Sequence, residues 1–126
     1  MTIIQFDPNG GPLKVEIKYE GPIIAEYTYR LRSATANPPV QTATGDNDNE
    51  QDDIYFLPTP VAHNHDRKIT VSSDFASTEG TENNVKWKTN VIVSQDGVEL
   101  GRGTDKGTLP KEDQSFVIIK LKSTAE

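Results

Sequence analysis

Apolar and polar residues alternate with a period of two along most of this chain. Leu13, Val15, Ile17 and Tyr19 alternate with Lys14, Glu16, Lys18 and Glu20. Ala25, Tyr27, Tyr29 and Leu31 alternate with Glu26, Thr28, Arg30 and Arg32. Ile69, Val71 and Phe75 stand against Lys68, Thr70, Ser72 and Asp74, and Val85, Trp87, Val91 and Val93 against Lys86, Lys88, Asn90 and Ser94. Near the end, Val117, Ile119 and Leu121 share a face opposite Lys120 and Lys122. Successive side chains of a strand point to opposite faces, so each segment reads as a strand with one buried and one wet side. Clean alternation belongs to antiparallel sheets; parallel sheets flanked by helices show continuous apolar runs instead. No segment carries a 3.6-residue apolar pattern.

Turn chemistry separates the strands. Pro8-Asn9-Gly10-Gly11-Pro12 and Glu20-Gly21-Pro22 break the first three apart, and Asp96-Gly97 has the residues of a type I′ hairpin turn. Pairing outward from that turn sets Gln95 opposite Val98 and Val93 opposite Leu100. Eight strands are predicted, near 2–6, 13–19, 23–32, 54–57, 68–75, 85–94, 98–103 and 115–122. A single sheet that wide curls or splits, so the expected fold is all-β, an antiparallel β-sandwich of two packed sheets. In outline the order and spacing resemble the immunoglobulin or fibronectin type III architecture, without its Cys-Trp-Cys pattern. A jelly roll and an up-and-down barrel are the alternatives.

At 126 residues the chain reads as one soluble domain, 1–126, able to bury a core without disulfides or metals. Its one long irregular stretch is an acidic loop over 33–53, and loops of that length are functional or disordered. The absence of cysteine excludes disulfides, thiolate metal sites and a Cys nucleophile. The start, MTIIQFDPNGG, has no signal-peptide pattern, so the expectation is a cytoplasmic protein or one exported with its leader removed. The longest apolar run, Phe116 to Ile119, is too short to span a membrane. A net charge of −6 speaks against nucleic acid as a partner.

Three features carry candidate chemistry. Asp46, Asp48, Glu50 and Asp52 alternate through the acidic loop, with Asp53 beside them, and hard cations such as Ca²⁺ take six to eight oxygen ligands. The Asp-x-Asp-x-Glu start resembles an EF-hand calcium loop, but Gln51 stands where that loop needs Gly and Leu57 where it needs Glu. The plainer reading is a solvated acidic loop. His63-Asn64-His65-Asp66 holds the two histidines of the chain; in an extended segment both project to one side, where they and a loop carboxylate suit Zn²⁺. The plainer reading there is a polar turn. Finally, Lys14, Lys18, Arg30, Arg32, Lys86, Lys88, Lys120 and Lys122 all fall on the polar side of strands, whereas many acids fall in loops. Strands of one sheet would then present a basic face, or simply the lysines that deter edge aggregation.

No Gly-x-Ser-x-Gly elbow or phosphate loop is present. Tyr19, Tyr27, Tyr29 and Trp87 lie on the apolar side of their strands and read as core, not as a sugar platform. The expected function is therefore a non-catalytic binding or interaction module that presents loops or a sheet face to a protein or glycan partner. The alternatives are a Ca- or Zn-dependent adhesin-like domain or small metalloenzyme, using Asp46, Asp48, Glu50, Asp52, His63, His65 and Asp66, and a structural subunit that pairs through a strand edge.

Overall fold

The computed structural model describes residues 1–33, 38–46, 53–77 and 85–124. Among them are nine strands: β1 (Thr2–Phe6), β2 (Leu13–Glu20), β3 (Ile23–Arg32), β4 (Gln41–Asp46), β5 (Asp53–Phe56), β6 (Lys68–Ser77), β7 (Val85–Gln95), β8 (Val98–Leu109) and β9 (Gln114–Ser123). A 3-10 turn, Val61–Asn64, precedes β6. The strands divide into a five-stranded sheet, ordered β1-β9-β6-β3-β4, and a four-stranded sheet, ordered β5-β2-β7-β8. All neighbours run antiparallel except β1, which lies parallel to β9. The architecture is the all-β sandwich that the alternation predicts, and two separate sheets replace the closed barrel.

The inward faces meet along that alternation. Leu13, Val15 and Ile17 from β2 and Val91 and Val93 from β7 pack against Tyr27, Tyr29 and Leu31 from β3, Ile69 and Val71 from β6, and Val117, Ile119 and Leu121 from β9. A second cluster gathers Ile23, Ala25, Phe75, Val85 and Leu109 around Trp87. The Trp87 indole nitrogen donates to the Glu112 carbonyl at 2.7 Å, which satisfies its one polar atom. The ring passes so close to β8 that a Cβ on Gly107 would sit 2.5 Å from it, so glycine is required there.

Three details depart from the expectations. The stretch 33–53 is not one loop, because Gln41–Asp46 pairs with β3 as an edge strand. Its sequence, QTATGD, lacks the apolar alternation of a strand, because β3 supplies the hydrogen bonds and little of β4 is buried. Strand β8 runs to Leu109, beyond the expected end near 103; Thr104 to Thr108 have no apolar alternation and are held by the β7 ladder. At the hairpin, Asp96 and Gly97 do take positive φ (52° and 79°), and Gln95 does pair with Val98. A register shift between Val93 and Ser94 then sets Val93 opposite Gly101 instead of Leu100, as one extra residue in a β-bulge does.

Candidate functional site

The outward side of the five-stranded sheet carries an ordered charge pattern that follows from strand register. Arg32 lies opposite Lys68 and Lys68 opposite Lys120, which makes a ladder of three cations across β3, β6 and β9. Six residues along β3, Glu26 lies opposite both Asp46 of β4 and Asp74 of β6. Six residues of strand rise about 3.3 Å each, so the basic and acidic ladders stand about 20 Å apart on one face.

Between them run two rows that carry a single charge, that of Arg30. One holds Thr42, Arg30, Thr70 and Ile118, the other Thr44, Thr28, Ser72 and Phe116. Phe116 is 56% exposed. A depression of about 450 Å³ opens at the acidic end, lined by Glu26, Thr28, Asp46, Ser72 and Asp74.

Like charges directly opposite one another across a sheet destabilise it. Among the described residues, Arg32, Lys68 and Lys120 have no ion-pair partner within 4 Å. Asp74 accepts from the Gln114 amide at 3.0 Å, which leaves its charge uncompensated. The sheet thus sets cations beside cations in one row and carboxylates beside carboxylates in another, with Lys120 close enough to Asp66 to act on its carboxyl.

The strand cations are divided between the two sheets. Arg30, Arg32, Lys120 and Lys122 lie on the five-stranded sheet, and Lys14, Lys18, Lys86 and Lys88 on the other. Nor is the first face uniformly basic, since Glu26 and Asp74 are strand residues. Their place on the face was legible from the alternation; their alignment with one another was not.

The histidine segment is a turn, as in its plainer reading, and not an extended strand. Val61–Asn64 is a 3-10 turn, so His63 and His65 do not alternate along a strand. The fully buried Asn64 holds it, donating to the carbonyls of Pro58 (3.0 Å) and Val61 (3.2 Å) and accepting from Arg67 at 3.0 Å. His65 Nδ1 accepts from the Ser123 backbone N–H at 2.9 Å, so that nitrogen is taken. Its Nε2 lies 3.5 Å from Asp66, whose other carboxylate oxygen meets Lys122 Nζ at 2.5 Å. The hydrogen bond from Lys122 holds the Asp66 carboxyl below its ordinary range.

Asp48, Glu50 and Asp52 lie outside the described residues. Asp46 belongs to the Glu26 end of the sheet, about 20 Å of strand from Arg32 and Lys68, whereas Asp66 lies just before Lys68. The structure therefore does not bring Asp46 to His63, His65 and Asp66. Among the described residues, no three His, Asp or Glu side chains gather around one point as metal ligands.

The tyrosines are structural. Tyr55 and Tyr27 share a hydrogen bond of 2.6 Å, and Tyr27 donates to Asp53 at 2.8 Å. Tyr29 donates to Gln41 at 2.7 Å, and Tyr19 meets Ser73 at 2.7 Å. The Tyr29 and Tyr55 rings stack at 4.8 Å across the two sheets. Burial pushes the phenols of Tyr19, Tyr27 and Tyr29 well above their ordinary range. Phe56, not Tyr55, is the exposed member of its pair.

The strand edges are partly closed. On β8, the N–H of Lys106 donates to Asp105 and that of Thr108 to Glu112. Gln41 of β4 donates to the Phe56 carbonyl of β5 at 3.0 Å, which joins the two edge strands on that side. No helix among the described residues is long and apolar enough to cross a membrane. Comparison with protein-family models, with curated proteins and with solved structures finds no match to this chain.

Proposed function

We propose that this chain is a non-catalytic interaction module and that its contact surface is the outer face of the five-stranded sheet. The observation that carries this reading is the pair of like-charge rows, Arg32-Lys68-Lys120 and Glu26-Asp74, at opposite ends of that face. Such local conflicts are retained where function requires them. A partner that neutralises both ladders must itself carry both signs of charge. A protein surface does so, whereas an anionic glycan or a nucleic acid carries only one. The capped β8 edge favours contact through this face over strand addition.

The test compares what immobilised wild type retains from its own cellular extract with what Lys68→Glu, Phe116→Asp and a control, Lys88→Glu on the other sheet, retain. The expected result is a defined protein species, another copy of this chain included, lost from both face variants and kept by the control. Equal retention by all four proteins overturns the reading.

A further inference from the structure

The charge pattern on this face has a symmetry of its own. On β3, Glu26 and Arg32 lie three residues either side of Tyr29; on β6, Asp74 and Lys68 lie three either side of Val71; on β9, Gln114 and Lys120 lie three either side of Val117. Tyr29 pairs with Val71 and Val71 with Val117, so these midpoints form one row across the sheet. The row points inward; about it Arg32 stands against Glu26 and Lys68 against Asp74, while Arg30 stands against Thr28 and Lys120 against Gln114.

We infer that the partner of this face is a second copy of the same chain, related by a two-fold axis that runs across the strands at the Tyr29-Val71-Val117 row. This rests on the proposed use of the face as a contact surface. A two-fold axis in the interface plane and across the strands reverses the strand direction and preserves strand order. Arg32 of one copy then faces Glu26 of the other, and Lys68 faces Asp74. Arg30 meets Thr28, Thr70 meets Ser72, and Ile118 meets the exposed Phe116.

The other in-plane axis, along the strands, would set each ladder on its own like charges and is repulsive. Packed sheets cross at about 30° and lie about 10 Å apart. At the ladders, about 10 Å from the axis, that crossing displaces partners by about 5 Å, within reach of Lys and Arg stems. The acidic depression lined by Glu26, Asp46 and Asp74 gives those stems a place to enter.

The face measures about 20 Å along the strands and about 20 Å across five of them, about 400 Å² per copy, which is the size of a weak, transient contact. Association is accordingly expected to depend on concentration and to weaken with salt, because exposed pairs are screened.

The experiment is sedimentation velocity on the whole chain from micromolar to sub-millimolar concentration, at low and high salt, with circular dichroism to check folding. Wild type is expected to dimerise at low salt. Lys68→Glu and Asp74→Lys should each weaken the dimer at least about tenfold, since each sets like charges face to face twice. The double variant Lys68→Glu/Asp74→Lys should restore it, because the swapped charges face each other again across the axis. Lys88→Glu should leave it unchanged.

A wild type that stays monomeric throughout, or a dimer indifferent to the single variants, overturns the inference. So does a double variant no better than the single ones. If wild type is monomeric while Lys68→Glu still loses a different retained protein, the face remains the contact surface and only its partner was wrong. If no retained protein is lost either, both readings fall.

Discussion

The two outer faces of this sandwich are built from the same alternating strands, yet they arrange charge differently. On the four-stranded sheet Lys88 lies between Glu20 and Lys106, and the Glu20 carboxylate accepts from Asn90 at 2.8 Å. Glu16 meets Lys18 at 3.6 Å, and Arg102 and Glu99 pair at 2.7 Å. Ile92 points outward there but is only 8% exposed, with Glu16 and Arg102 as its cross-strand neighbours. Long charged side chains cover apolar surface in this way. On the five-stranded sheet the ladders repeat one sign, and Phe116 lies open. The four-stranded face thus intersperses its signs, whereas the five-stranded face keeps like charges in rows.

The comparison requires both faces to stand on a shared core, and the largest expected effect tests that. Trp87→Ala removes the centre of the second cluster and should lower stability by about 3–5 kcal/mol in urea unfolding. A loss below about 1 kcal/mol would mean that this cluster does not tie the sheets together.

Alkaline pH comes next. Unfolded phenols ionise near pH 10, while buried Tyr19, Tyr27 and Tyr29 stay protonated, so above about pH 10 the folded state binds more protons than the unfolded one. Their contribution is complete below that pH and is lost as pH rises, by about 1.4 kcal/mol per pH unit for each phenol. Urea melts at stepped alkaline pH measure the slope, and Tyr27→Phe should reduce it.

The smallest effect separates the faces most directly. Measured at concentrations low enough to keep the chain monomeric, Lys68→Glu should raise stability by about 0.2–1 kcal/mol, because it relieves a like-charge row. Lys88→Glu should leave it nearly unchanged, because Lys88 lies opposite both Glu20 and Lys106, so the reversal makes one pair repulsive and the other attractive. Equal changes for the two would erase the distinction between the faces.

Most of the fold was legible because burial in a sheet imposes a period of two, and β2, β3, β6, β7 and β9 show that period residue by residue. Strand β4 was not legible: an edge strand of small polar residues buries little, and its hydrogen bonds come from β3. The bulge beside Val93 was hidden for a related reason, since either register keeps Val93 buried. The turn at His63 to Asp66 was legible from its turn residues, but the complete burial of Asn64 that holds it was not.

By itself the sequence determined which side of each strand faces water, because side-chain direction is a local property of backbone geometry. It also contained the six-residue spacing of Glu26 from Arg32 and of Lys68 from Asp74. Only the tertiary structure decided that these spacings align. Antiparallel register sets Arg32 beside Lys68 and Glu26 beside Asp74, and β9 extends the cationic row to Lys120. Register and strand order are set by packing between residues distant in sequence, so no single segment contains them.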